Sequence, residues 1–354
     1  MKKILHHPFF IRLFNWEYWS FGAVYGWTIP AWLFFCFRAR SFFFFSASNP
    51  CIENGGMIGE SKKDIHLVLP TEYYPKTIHF LHSTQAEVVI KGVHANGLQF
   101  PLIGKPDIGG RGRGVKLLKD EQDIIEYSQK ALINYHIQEY IEYPLEVGIF
   151  YYRYPDKGKG HISGIVGKEF LTVMGNGKNT LIELLKAGSR SIMYLKSLEA
   201  MNHDQLGEVI PKGQERVVSP YGNHARGSKF LDCTHWRDAQ LEETIDSICK
   251  SIPGFYFGRL DIRYRSWDLL KQGKEFIIIE VNGAGAEPTH MYDPRHSVFF
   301  AWKEIIRHWN IMEKISRKNH KNGVPYLSFK EGVRMYRVDK KNSEMLLAMS
   351  EQIQ

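Results

Sequence analysis

Gly258-Arg259-Leu260-Asp261-Ile262 and Ile278-Ile279-Glu280-Val281-Asn282 are the stretches whose reading decides the fold. Each is a short apolar run with branched side chains, so each reads as a strand: Phe255 to Tyr264 and Glu275 to Val281. Residues two apart on a strand share a face, so Glu280 and Asn282 point the same way, and with Asp261 three oxygen donors can converge. Oxygen-only donors on rigid strands suit Mg2+, which takes one or two carboxylates from a protein and further oxygens from substrate phosphates. Glu280 ends the buried-type run Phe276 to Ile279, where an unpaired carboxylate is costly to desolvate. The bland alternative is strand-end carboxylates neutralised by Arg259 or Arg263.

Working upstream, Gln99 to Lys105 reads as a buried strand ended by Pro106, and Val115 to Leu118 as its return. Between them the glycines Gly109, Gly110, Gly112 and Gly114 let backbone N–H groups approach phosphate oxygens, while Arg111 and Arg113 add positive charge. The spacing matches neither a Walker loop nor GxGxxG. A solvated turn, or a loop on RNA phosphates, is the competing reading. Lys105, at the end of the strand before this flap, projects an ammonium toward the same phosphates unless it is merely solvated.

Asp120 offers an N-cap for a helix through about Asn134. Strands are expected at His136 to Ile141, Glu146 to Arg153 and Gly160 to Phe170, and helices at Glu60 to Leu69, Leu181 to Lys186 and Asp238 to Ser251. From about His308 the chain turns basic and polar, which predicts a partly mobile tail with one helix around Glu344 to Met349.

Composition excludes disorder as the default: 44% of the 354 residues are hydrophobic and 24% charged. The net charge of +8 suits a polyanion, an anionic membrane surface or a phosphorylated ligand without choosing among them. Cys36, Cys51, Cys233 and Cys249 lack disulfide or zinc spacing and read as packing residues or free thiols in a reducing cytosol. Tyr18 to Phe37 carries no formal charge and is just long enough to span a bilayer, though Gly22, Gly26 and Pro30 interrupt it. Its aromatic content, continued by Phe42 to Phe45, reads as membrane contact through residues 9–45, as a span or an in-plane anchor. An aromatic helix docked on the catalytic domain, and a signal peptide cleaved near Ser46-Ala47-Ser48, are the other readings.

Taken in order, Phe100 to Val115, His136-Ile-Gln-Glu-Tyr-Ile-Glu-Tyr-Pro-Leu-Glu-Val147, Gly258 to Ile262 and Ile278 to Asn282 resemble the signature of ATP-grasp carboxylate-amine ligases of the D-alanine:D-alanine ligase and cyanophycin synthetase types. Met174 to Leu185 and Gly222-Asn-His-Ala-Arg-Gly-Ser228 are similar to further segments of such enzymes, and the resemblance covers about Glu60 to Arg295.

That resemblance implies an α+β ATP-grasp fold, two α+β subdomains clasping ATP between antiparallel sheets, behind an aromatic N-terminal segment. Expected units are residues 1–50 (aromatic segment), 51–98 (linker and short pre-grasp region), 99–310 (catalytic domain) and 311–354 (basic extension). It implies that Lys105 contacts nucleotide phosphates under the flap Gly109 to Gly114, with Lys62, or Lys63, as a second nucleotide lysine. Gln138, Glu139, Tyr140 and Ile141 would form the adenine-contacting hinge, and Glu146 would bind ribose. Asp261, Glu280 and Asn282 would hold Mg2+, with Mn2+ as a substitute, and Arg226 and Arg263 would contact the substrate carboxylate or acyl phosphate. The implied activity is ATP-dependent joining of an amino-acid, peptide or other small-molecule carboxylate to an amine, in the cytoplasm at the inner face of the membrane, without nucleic acid. An ATP-grasp phosphotransferase and a membrane module with a degenerate nucleotide site are the alternatives. One departure stands out: such ligases carry an N-terminal α/β domain, where this sequence has the aromatic segment and a loop.

Overall fold

The computed structural model describes residues 7–110, 112–219, 222 and 224–353. Its eleven described strands are β1 (Thr77–Phe80), β2 (Leu102–Pro106), β3 (Lys116–Leu118), β4 (Tyr135–Glu139), β5 (Leu145–Tyr152), β6 (His161–Glu169), β7 (Leu171–Met174), β8 (Glu215–Ser219), β9 (Lys229–Asp232), β10 (Phe257–Tyr264) and β11 (Phe276–Asn282). Its helices are α1 (Pro8–Phe14), α2 (Phe21–Tyr25), α3 (Ile29–Ala39), α4 (Lys62–Val68), α5 (Ala86–Ala95), α6 (Glu121–Lys130), α7 (Leu181–Ala187), α8 (Leu195–Met201), α9 (Ala239–Lys250), α10 (Trp267–Lys271), α11 (Val298–Lys321) and α12 (Phe329–Ile353).

The expected α+β character is what the chain adopts, with every named strand pair antiparallel. A four-stranded sheet runs β1-β4-β2-β3, a five-stranded sheet runs β11-β10-β5-β6-β9, and β7 pairs with β8. The first sheet buries Leu102, Leu118 and Ile137 against Val89 and Val93 of α5 and Ile124 and Tyr127 of α6. The second buries Val147, Ile149, Leu260 and Ile262 against the stripe Leu241, Ile245, Ile248 and Cys249 of α9. That i, i+4, i+7, i+8 spacing is what marks α9 as amphipathic in the sequence.

Asp120 caps α6, accepting from the Asp123 backbone N–H at 3.0 Å. The helix stops at Lys130, short of Asn134, because Ala131 is already extended and leads the chain into β4. Cys36, Cys233 and Cys249 are buried, Cys51 is half-buried, and all four thiols are free.

Two expectations are corrected at the ends of the chain. Among the described residues no helix is long and apolar enough to cross a membrane. The reading of Tyr18 to Phe37 as a single span therefore fails: α2 gives way to a 3-10 turn at Gly26–Thr28, α3 begins around Pro30, and it ends where Arg40 turns left-handed (φ 55°). Beyond it Phe44 and Phe45 are buried with Phe150, Phe257, Met312 and Ile315.

The basic extension beyond residue 310 is not a tail with one short helix but roughly the last three turns of α11 and the whole of α12, which runs to Ile353. Its inward stripe carries polar side chains, which disguises the period. Glu313 pairs with Arg38 at 2.9 Å, His308 Nε2 lies 2.9 Å from Ser163 Oγ, and Asn319 donates to the Ala47 carbonyl at 2.8 Å.

Asn49 ties the loop before α4 to the second sheet. Its amide donates to the Gly55 and Phe257 carbonyls (3.0 and 2.8 Å) and accepts from the Tyr256 and Phe257 N–H groups (both 2.9 Å). Asn49→Ala strands several buried backbone groups and is expected to cost about 3 kcal/mol in a urea denaturation series.

Candidate active site

The site is built where the two sheets face one another. In the antiparallel register of β10 and β11, Asp261 stands opposite Glu280 and Arg259 opposite Asn282. Opposed residues, and residues two apart, share a face, so these four side chains form one polar patch. On β5 the residue opposite Asp261 is Gly148, where a Cβ would come within 3.0 Å of the Asp261 Oδ1 atom. A bare backbone is needed there.

Asp261 is buried and held by cations. Arg259 grips it with two bonds, Nε to Oδ1 at 2.9 Å and Nη2 to Oδ2 at 3.1 Å, and Lys168 Nζ lies 3.4 Å from Oδ2. Burial alone would push its pKa up, but Arg259 and Lys168 outweigh that and hold it below the usual range. Lys168 also bonds Glu146 Oε1 at 2.6 Å, and Arg263 Nε reaches Glu146 Oε2 at 3.2 Å. Burial favours the neutral amine of Lys168, yet Asp261 and Glu146 raise its pKa, so it stays charged.

Facing this patch, the first sheet carries Lys105, His136 and His79 in register across β2, β4 and β1. Lys105 Nζ crosses to the second sheet and donates to the Ile279 carbonyl at 3.4 Å, beside Glu280. The ammonium is almost completely buried; desolvation, then the charge of Lys62, lowers its pKa to about 7 against the opposing pull of Glu280. His136 Nε2 lies 3.0 Å from Asp107 Oδ1, the His79 and His136 rings touch through their Nδ1 atoms, and burial lowers the His136 pKa to about 4.

The glycine flap joins β2 to β3. Gly109 (φ 112°) lies against Leu346 of α12, so near that a Cβ would sit 2.3 Å from Cδ2; Gly110 has open space where a side chain would be, and Gly112 and Gly114 are left-handed. Arg111 lies outside the described residues. Ser61 caps α4 and also bonds Asp107 Oδ1 at 2.9 Å, which sets the helix beside the flap. Lys62 Nζ then donates to the Gly109 carbonyl at 2.6 Å, whereas Lys63 meets this loop through its backbone N–H, bonded to Asp107 Oδ1. From the other side Arg226 Nη2 donates to the Gly112 carbonyl at 2.6 Å.

Tyr140 and Ile141 lie in the connection from β4 to β5, between the two sheets, and Glu139 ends β4. Gln138 is buried on the cleft-facing row with its amide on Thr77 Oγ1 at 2.8 Å. Arg263 sits at the same hinge, donating to the Tyr143 carbonyl at 3.1 Å with its guanidinium 5.2 Å from the Phe170 ring centroid.

No three His, Cys, Asp or Glu side chains among the described residues make a metal cage by themselves. Asp261 and Glu280 stand opposed with the Asn282 amide beside them, oxygen donors of the kind a hard cation takes, but both Asp261 oxygens are already engaged by Arg259 and Lys168, as the alternative of a neutralised strand-end carboxylate expects. The Asn282 amide nitrogen is buried without a partner, and an amide end left unsatisfied in a polar patch awaits a ligand or a rotation that presents its oxygen.

Lys168 and the His79–His136 row were not read from the sequence as site residues, whereas the Arg259–Asp261 pair is the one its alternative reading expects. Position in β6 gives Lys168 no special mark, and only the β5–β6 register brings it to Glu146. Glu17 was missed as well. From the aromatic segment it accepts from Arg190 at 2.9 Å and contacts His224 Nε2 at 3.1 Å, which joins that segment to the loop carrying Arg226.

Neither a family model nor a curated protein matches the sequence. Among solved structures the chain is similar to VanG D-Ala:D-Ser ligase from Enterococcus faecalis, at 16% identity and a TM-score of 0.39, over 72% of this chain and 62% of that one. It is similar to D-alanine–D-alanine ligase from Bacillus anthracis at 15% identity and 0.42, over 74% and 69%. It is similar to a bifunctional glutathione synthetase from Pasteurella multocida at 15% and 0.37, over 68% of this chain and 34% of that one.

Proposed function

We propose that the chain is an ATP-grasp ligase that activates a substrate carboxylate as an acyl phosphate and joins it to an amine. The observation that carries this reading is the crossing of Lys105 from the glycine-flap sheet to the β11 backbone beside Glu280. It joins a cationic, glycine-lined phosphate half to an anionic oxygen-donor half in one cleft.

In this reading Lys62, Lys105 and the flap N–H groups bind the phosphate chain, and Gln138 to Ile141 line the adenine end with Glu146 beside the ribose. Magnesium, when bound, neutralises the phosphate charge, and Asp261, Glu280 and Asn282 are the residues that would hold it. The substrate carboxylate oxygen attacks the γ-phosphorus and the bond to the β-phosphate oxygen breaks, giving ADP and an acyl phosphate. The amine then attacks the acyl carbon, phosphate leaves and the amine proton is lost. Positioning and charge complementarity are the protein's share, and Arg226, on the flap carbonyl, is set to meet the transferring group. Arg259 locks Asp261 in place and Lys168 holds Asp261 and Glu146 together.

The test is ADP release by purified protein screened against amino acids and peptides, with mass spectrometry of the products. A product heavier than the carboxylate by the amine minus water is expected. A stable phosphorylated product formed without any amine would replace the ligase by a phosphotransferase, and no Mg-dependent ATP binding in a titration would end the reading altogether.

A further inference from the structure

Outside the cleft, large apolar side chains stand exposed on α3 and at the start of α11. On α3 the outward positions Ile29, Leu33 and Phe37 recur every four residues with Phe34 beside them, and Phe37 is 81% exposed. Trp27, 75% exposed, packs its ring 6.1 Å from Trp302 of α11, and Trp302 meets Phe299, itself 70% exposed, at 5.4 Å. Ring contacts therefore join Trp27, Trp302 and Phe299, from both ends of the sequence, into one surface beside α3, which packs on α11. Such a surface is larger than isolated exposed side chains require.

Its charges identify the occupant. No Asp or Glu occurs between Glu17 and Glu53. The only acids of α11, Glu304 and Glu313, are buried and turned inward, Glu304 onto His290 and Arg307, Glu313 onto Arg38 and Arg317. What reaches solvent at the rim is basic: Arg40 one turn beyond Phe37, Lys303 one turn beyond Phe299, and Lys314. A second copy on a two-fold axis would press these like charges together. An anionic surface would not.

We infer that α2, α3 and the start of α11 form an in-plane docking face for an anionic lipid bilayer, with Trp27, Phe34, Phe37 and Phe299 entering the acyl boundary and Arg40 and Lys303 meeting headgroup phosphates. The geometry is interfacial. At 1.5 Å per residue α3 is about 16 Å long, half the hydrocarbon thickness of about 30 Å, so it lies on the membrane rather than through it. Glu17, bonded to Arg190 and His224, continues the same segment to the Arg226 loop.

Flotation of the full chain with vesicles of phosphatidylcholine alone, and of phosphatidylcholine with phosphatidylglycerol, tests this. Binding to the anionic vesicles is expected, weakened by high salt and lowered about 100-fold by the pair Phe34→Ser and Phe37→Ser, with the thermal midpoint of the variant unchanged. Arg40→Glu with Lys303→Glu should separate the arms by removing the preference for anionic over neutral vesicles. Absence of binding to anionic vesicles by folded protein overturns the proposal. So does light scattering that shows a dimer which the Phe34/Phe37 variant dissociates, since the face would then belong to a second copy.

Discussion

Glu280→Gln is expected to cut ADP release by about 10³-fold while leaving the fold in place. The substitution keeps the volume and one oxygen of a side chain that stands opposite Asp261 and is half-exposed, so nothing in the core has to move. What it removes is the negative charge beside Lys105, which in the proposed reading would also help to hold magnesium. Two readouts check the account: an ADP-coupled assay at saturating ATP, and a thermal midpoint within a few degrees of the parent. Retained turnover with intact folding would sink the assignment. Glu280 also raises the pKa of Lys105, so in the variant the residual activity should reach its maximum at lower pH.

Lys105 gives the second large effect, and it is a proton effect. Burial and Lys62 hold its pKa near 7, far below the value of about 10.4 for a lysine in an unfolded chain. Between about pH 7 and pH 10 the unfolded chain thus binds one more proton at this position than the folded one. Through this group stability rises with pH across that window; below about pH 7 the folded protein carries the full cost of the buried ammonium. In the proposed reading ATP would reverse the balance, because phosphate oxygens around the nitrogen favour its charged form. Binding at pH 8 to 9 is expected to take up close to one proton, seen as a dependence of the calorimetric heat on buffer ionisation enthalpy. ATP affinity should fall up to about tenfold per pH unit above 7. Lys105→Met should abolish the proton uptake and weaken ATP binding by about 100-fold; a variant that still takes up the proton would place the titrating group elsewhere.

The strands of the site were legible because their residues alternate or run apolar between turn signals, and Glu280 and Asn282 share a face by spacing alone. Lys105 and the flap were legible for the same reason, since strand, glycine tip and return strand are contiguous. Partnership was not. Arg259 was visible only as one of two arginines able to neutralise a carboxylate, and nothing local shows Lys168 between Asp261 and Glu146, because that meeting depends on the register of three strands. The short strand β1 is half-buried throughout and lacks the alternation that reveals its neighbours. The helix α11 was obscured for another reason: His308, Glu313, Ser316 and Asn319 interrupt the apolar members of its buried stripe, and His308, Glu313 and Asn319 find partners far away in sequence.

The last helix, α12, ties the two sheets together a second time. Near its start Gly332 and Met335 pack against Phe43, in the core that backs the second sheet. Near its end Met349 and Ile353 belong to the core of the first sheet, and Leu346 touches Gly109 of the flap. At 1.5 Å per residue its 25 residues make a rod of about 37 Å pinned at both ends. With the Tyr140 connection on one side and this rod on the other, the jaws are suspended at two points. In the proposed reading, any parting of the two sheets around a nucleotide would therefore have to unseat one end of α12, and Leu346, against Gly109, would couple that helix to the flap.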